Sequence, residues 1–108
     1  MAFDALDIAQ QAAALVAAGF DGVGGPYRDL RDQATRAAVS AALNLAESIG
    51  YDGGNKRRHQ KVAYGSAREA KAAVALAITL GLGSAAQLRD AHDALDRVAA
   101  MSWRLMRR

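Results

Sequence analysis

Three glycine-bearing interruptions cut this chain into four stretches of helical length, and that spacing constrains the fold more than any other feature. Gly19 to Pro26 contains four glycines and the only proline, so a helix cannot continue through it. Asp52-Gly53-Gly54-Asn55 is a second break, and Gly81-Leu82-Gly83 is a third. Ser84-Ala85-Ala86-Gln87 follows the third with the spacing of a capping box, just ahead of Leu88. The breaks leave segments of about 16, 22, 26 and 24 residues, each long enough to be a bundle helix. Short connections make consecutive long helices antiparallel. The expected fold is all-α: an up-down four-helix bundle forming a single domain over residues 1–108.

Periodicity supports four helices. In the last segment Leu88, Ala91, Leu95, Val98, Ser102 and Leu105 draw one stripe at alternating spacings of three and four. Val62, Ser66, Glu69, Ala73, Leu76 and Leu80 draw another in the third segment, and this stripe is read as its core face. Ala37 to Ala46 is apolar nearly all round, broken only by Ser40 and Asn44, which suits a helix buried on more than one side. No alternating run competes for a strand.

Composition bears on how such a bundle is stabilised. Apolar residues make up 52% of the chain, but much of that is alanine, and aromatic residues are only 6%. Alanine favours helix and close approach of helix axes, yet buries little surface per residue. A thin core in a chain of 108 residues points to neighbouring subunits for further burial.

Several function classes are disfavoured. Without cysteine there is no disulfide framework and no thiolate zinc site. The start, Met1-Ala2-Phe3-Asp4, lacks the basic region of a secretory signal, and the longest apolar stretch, Ala72 to Gly83, is too short to span a bilayer. The expectation is a cytoplasmic protein with no membrane association. Glu47 is followed three residues later by Gly50 and Glu69 by Ala72, so the Glu-x-x-His motif of di-metal bundles is missing, and no metal or cofactor is expected. No Gly-x-Ser-x-Gly elbow is present, and Gly22-Val23-Gly24-Gly25 lacks the Gly-Lys-Ser/Thr ending of a phosphate loop. No catalytic residue is assigned, and the chain is read as a non-enzyme.

Two constellations stand out. Ser40, Asn44 and Glu47 share one face of the second helix, while Ser66 and Glu69 lie in the apolar stripe of the third. All five are expected to turn inward as a polar network that fixes helix register. Buried, Glu47 or Glu69 would have a raised pKa, which leaves a small cofactor-free enzyme as a distant alternative. The second constellation is basic. Residues 1–54 carry three Arg against seven Asp and Glu, whereas residues 55–108 carry eleven Lys and Arg against four. Arg57, Lys61, Tyr64, Arg68 and Lys71 form an outward stripe of roughly 21 Å on the third helix. In an up-down bundle Lys56, Arg57, Arg58 and Lys61 meet Arg104, Arg107 and Arg108 at one end, where Asp4, Asp7 and Asp52 partly offset them. Such a patch would hold the phosphate backbone of RNA or DNA, with Tyr64 available for stacking.

The run Leu30-Arg31-Asp32-Gln33-Ala34-Thr35-Arg36-Ala37-Ala38-Val39-Ser40, continuing to Asn44-Leu45-Ala46-Glu47, resembles the signature of a bacterial four-helix-bundle family. Its members were first noticed as reading frames in intervening sequences of 23S ribosomal RNA genes. Ala63-Tyr64-Gly65-Ser66-Ala67-Arg68-Glu69 repeats the likeness, and Leu80-Gly81-Leu82 suits the family's turn. The family often has proline at the place of Ala42 and glycine at that of Ser48, so the second helix is expected to be straighter and longer here. It also tends to have an aromatic residue near His59. The resemblance implies a homopentamer in which bundles assemble side by side as a ring, which suits the doubly apolar second helix, and it implies no enzymatic activity. A related branch, the accessory proteins of diversity-generating retroelements, associates with a reverse transcriptase and nucleic acid. The expected function is therefore a nucleic-acid-associated or reverse-transcriptase-associated accessory protein, with a purely structural or protein-binding oligomeric scaffold as the alternative.

Overall fold

The computed structural model describes residues 2–107, with side chains described from residue 3 onward; Arg108 lies outside them. Four helices, α1 (Ala2–Gly19), α2 (Arg28–Ile49), α3 (Gly53–Leu80) and α4 (Ala85–Met106), follow one another up and down, and a 3-10 turn (Gly25–Tyr27) leads into α2. Each helix packs against its two neighbours in the order α1, α2, α3, α4 and back to α1. The bundle measures 43 × 21 × 17 Å, and no strand occurs among the described residues.

The joints form for local reasons. Gly81 takes the left-handed conformation, φ 71°, and closes α3. Leu82 donates its N–H to the Ala77 carbonyl and Gly81 donates to that of Ile78, the paired bonds of a Schellman turn. Ser84 then caps α4, its Oγ accepting the Gln87 N–H at 3.3 Å. The second joint is shorter than the sequence suggests. The chain turns through Gly50 to Asp52, and Gly53, at φ 63°, already opens α3. Gly54 and Asn55 thus belong to its first turn, and α3 reaches 28 residues. The second helix runs unbroken through Ala42 and Ser48. Tyr51 stacks on His59 with ring centroids 5.4 Å apart, so an aromatic side chain covers this end from the preceding joint.

The core follows the stripe expected for α4: Leu88, Ala91, Leu95, Val98 and Ser102 are buried and Leu105 partly so. In α3 the stripe needs correction. The buried side is Gln60, Ala63, Ala67, Ala70, Val74 and Ala77, with Ala73 at its margin, whereas Val62, Leu76 and Leu80 are 44, 49 and 45% exposed. The core face is thus turned by about one residue, roughly 100° of helix, from the stripe of larger side chains. Small side chains occupy it because they let α3 sit close to α2 and α4, and close packing repays each small contact. Each buried methyl contributes on the order of 1 kcal/mol. The bulk at the centre comes from Phe20, Val16, Leu45, Val74, Leu88 and Leu95.

Candidate nucleic-acid interface

Two seams of α3 carry the polar chemistry, one toward α2 and one toward α4. On the α2 side, Ser40 and Ser66 share a hydroxyl hydrogen bond of 2.9 Å between helices. Asn44 donates through Nδ2 to the Ser40 carbonyl at 2.9 Å and to Ser40 Oγ at 3.3 Å. Its Oδ1 lies 2.9 Å from His59 Nδ1, and since a carbonyl oxygen can only accept, His59 donates. This chain, Ser66–Ser40–Asn44–His59, joins three of the five residues expected in a polar network and adds His59. Glu47 and Glu69 do not join it. Both are exposed, which corrects the expectation: the rotation of α3 that brings Ala67 and Ala70 inside carries Glu69 out, and on α2 burial falls on Leu45 and Ser48 while Glu47 faces solvent. Beside them lies an apolar strip, Val39 and Leu43 on α2 with Val62, Leu76 and Leu80 on α3.

On the α4 side lies the basic stripe. Arg57, Lys61 and Arg68 are exposed, but Tyr64 and Lys71 are half-buried, because the stripe runs along the α3–α4 seam and not down the middle of the outer face. Lys71 Nζ donates to Asp96 Oδ1 at 2.8 Å. That hydrogen bond and the ammonium charge hold the Asp96 carboxyl below its ordinary range. Two turns nearer the start of α3, Tyr64 packs on Trp103 with centroids 5.4 Å apart and planes at 43°. Arg68 caps the Tyr64 ring at 5.6 Å and Arg107 caps the Trp103 ring at 5.4 Å. The result is an alternating row, Arg68, Tyr64, Trp103 and Arg107, across two helices.

These contacts bring the start of α3 beside the end of α4. Lys56, Arg57, Arg58 and Lys61 therefore share one end of the bundle with Arg104 and Arg107; the seventh expected cation, Arg108, lies outside the described residues. Arg57, Arg58, Lys61, Arg104 and Arg107 are exposed and Lys56 is half-buried. The sequence reading passed over Trp103, which falls outside the apolar stripe of α4. Its signal was the register: Tyr64 lies as far before Gly83 as Trp103 lies after Ser84, and Lys71 and Asp96 obey the same symmetry. In an antiparallel pair such positions face one another.

Between these side chains is an open notch of about 290 Å³, with Ala99 and Ala100 as its floor. Among the described residues no group of three His, Asp or Glu could hold a metal ion, and no helix is long and apolar enough to cross a membrane.

No curated protein and no solved structure matches the chain. A family described as 23S rRNA-intervening sequence protein does match, over residues 5–104. That range takes in most of all four helices and the Schellman turn, in agreement with the motifs on α2 and α3: the chain belongs to the 23S rRNA-intervening sequence protein family.

Proposed function

We propose that this protein is a non-enzymatic oligomeric bundle that binds RNA or DNA through its α3–α4 edge, as an accessory to a nucleic-acid enzyme such as a reverse transcriptase. The observation that carries the reading is the row of Arg68, Tyr64, Trp103 and Arg107, continuous with the cations at the same end. Guanidinium groups suit phosphate oxygens and exposed rings suit bases. An enzyme built on a buried Glu47 or Glu69 loses its premise, since both carboxylates are exposed.

A gel-shift titration in low salt with Arg57→Gln, Arg58→Gln and Lys61→Gln combined tests the reading. The wild type should bind with little sequence preference and lose affinity steeply as salt rises, because each neutralised phosphate releases counterions. The triple variant should bind more weakly, with a flatter salt slope and an unchanged fold, since all three side chains are exposed. Equal, weak binding by both proteins would reduce the basic edge to a solvated face.

The second reading, a structural or protein-binding scaffold, draws on the apolar strip of Val39, Leu43, Val62, Leu76 and Leu80. Val62, Leu76 and Leu80 lie on the side of α3 away from the basic stripe, so self-association and nucleic-acid contact need not compete. The ring of five subunits implied by the sequence resemblance would cover this strip and repeat the basic edge around its rim.

A further inference from the structure

The α3–α4 edge combines charge with accessible aromatic surface. Trp103 is 45% exposed although it packs on Tyr64. Helical side chains lean toward the N-terminus of their helix, so the indole lies over the turn containing Ala99 and Ala100. Those two small residues leave the notch beside it open as far as the Lys71–Asp96 pair. A core-cementing tryptophan would be walled by larger neighbours; this one borders a recess that Arg68 and Lys71 also line, and Arg107 covers its ring.

We propose that this edge takes up single-stranded nucleic acid, an unpaired base stacking on Trp103 in place of the Arg107 guanidinium and the strand continuing along the notch. The inference rests on the nucleic-acid reading above and narrows its substrate class from any polyanion to an unpaired strand. An exposed guanidinium-on-ring contact is worth less than a base stacked on an aromatic side chain, so the exchange is favourable. Arg107, once displaced, stays within reach of the phosphate beside that base, and Arg68 at the other end of the row meets the next. Bases inside a duplex are already stacked on one another and present no free face, so a duplex engages only the cations.

The chain contains one tryptophan, which makes the site self-reporting. The experiment titrates the full-length protein with three probes: a short oligothymidylate, its duplex with oligoadenylate, and an abasic strand of equal length. Trp103 emission and fluorescence anisotropy of end-labelled probes are followed together. Oligothymidylate should quench Trp103 and bind about tenfold more tightly than either other probe, as expected for a stacked base. Trp103→Leu should lower oligothymidylate affinity to that of the abasic strand. If this variant misfolds, the quenching titration of the wild type still decides. Binding of all three probes with equal affinity and unchanged emission would overturn the stacking proposal and leave the phosphate-binding edge standing. No binding of any probe in low salt would overturn both.

Discussion

The backbone N–H of Ser84 donates to the Gly19 carbonyl oxygen at 2.9 Å, and this bond ties the last turn of α1 to the first turn of α4. In a capping box a glutamine side chain at the position of Gln87 would accept that N–H; here a neighbouring helix does so instead. Gly83, immediately before Ser84, sits at φ 60°, and a Cβ on it would run into the same Gly19 carbonyl. Replacing Gly83 by alanine therefore adds a left-handed backbone penalty to a backbone clash. The expected loss is about 3 kcal/mol, with a fall in Tm of about 10 °C or more by thermal circular dichroism. A loss below about 1 kcal/mol would mean that the joint is not held this tightly.

Two buried serines, near the ends of α2 and α4, should respond in opposite ways. Ser48 Oγ donates to the Leu45 carbonyl at 2.7 Å, whereas Ser102 Oγ is buried without a hydrogen-bond partner. Ser102→Ala removes an unpaired polar atom and should raise stability by about 1 kcal/mol in urea titrations. Ser48→Ala gives up a bond and should lower stability by a similar amount, about 1 kcal/mol. Destabilisation by Ser102→Ala would reveal a polar partner for that hydroxyl.

The α4 core face was legible because its large side chains, Leu88, Leu95 and Val98, are the buried ones. The α3 face was not, because hydrophobic size and burial part company there: Leu76 and Leu80 point outward while Ala63, Ala67 and Ala70 fill the interior. A pattern weighted by hydrophobicity follows the leucines, but close approach of two helices selects methyl groups. The polar network was half legible for the same reason. Ser40, Asn44 and Ser66 meet across the α2–α3 seam, and Glu69, assigned to the core with Val62 and Leu76, went out with them.

The outward leucines lead to a prediction about assembly. Leu43 is 61% exposed and Leu76 is 49% exposed, an apolar surface that a subunit ring would cover. Light scattering at micromolar concentration should report a closed oligomer, with five subunits expected. The double substitution Leu43→Glu and Leu76→Glu should give a helical monomer. A monomeric wild type would remove the ring and leave the strip free for another protein.

The Lys71–Asp96 pair makes a prediction in pH. Because the lysine depresses the folded-state pKa of Asp96, the pair stabilises the bundle above the ordinary carboxylate value, 3.8, and loses this contribution as pH falls through the lowered one. In a carboxyl-detected NMR titration Asp96 should have its midpoint below 3.8, and Lys71→Met should move that midpoint upward. Both side chains reach solvent, so the shift should shrink in molar salt. A midpoint unmoved by Lys71→Met would locate the cause elsewhere.

The methyl-lined interior also sets how the protein answers temperature. The heat-capacity change of unfolding grows with the apolar area newly exposed to water, usually about 12–15 cal/mol/K per residue. Alanines at so many core positions, with Leu43, Leu76 and Leu80 already wet in the single chain, leave less area to expose. A smaller heat-capacity change flattens the stability curve, so the isolated bundle should lose stability only slowly on cooling. Covering the outer leucines in an assembly would steepen that curve, so calorimetry at rising protein concentration tests for such an assembly through its curvature.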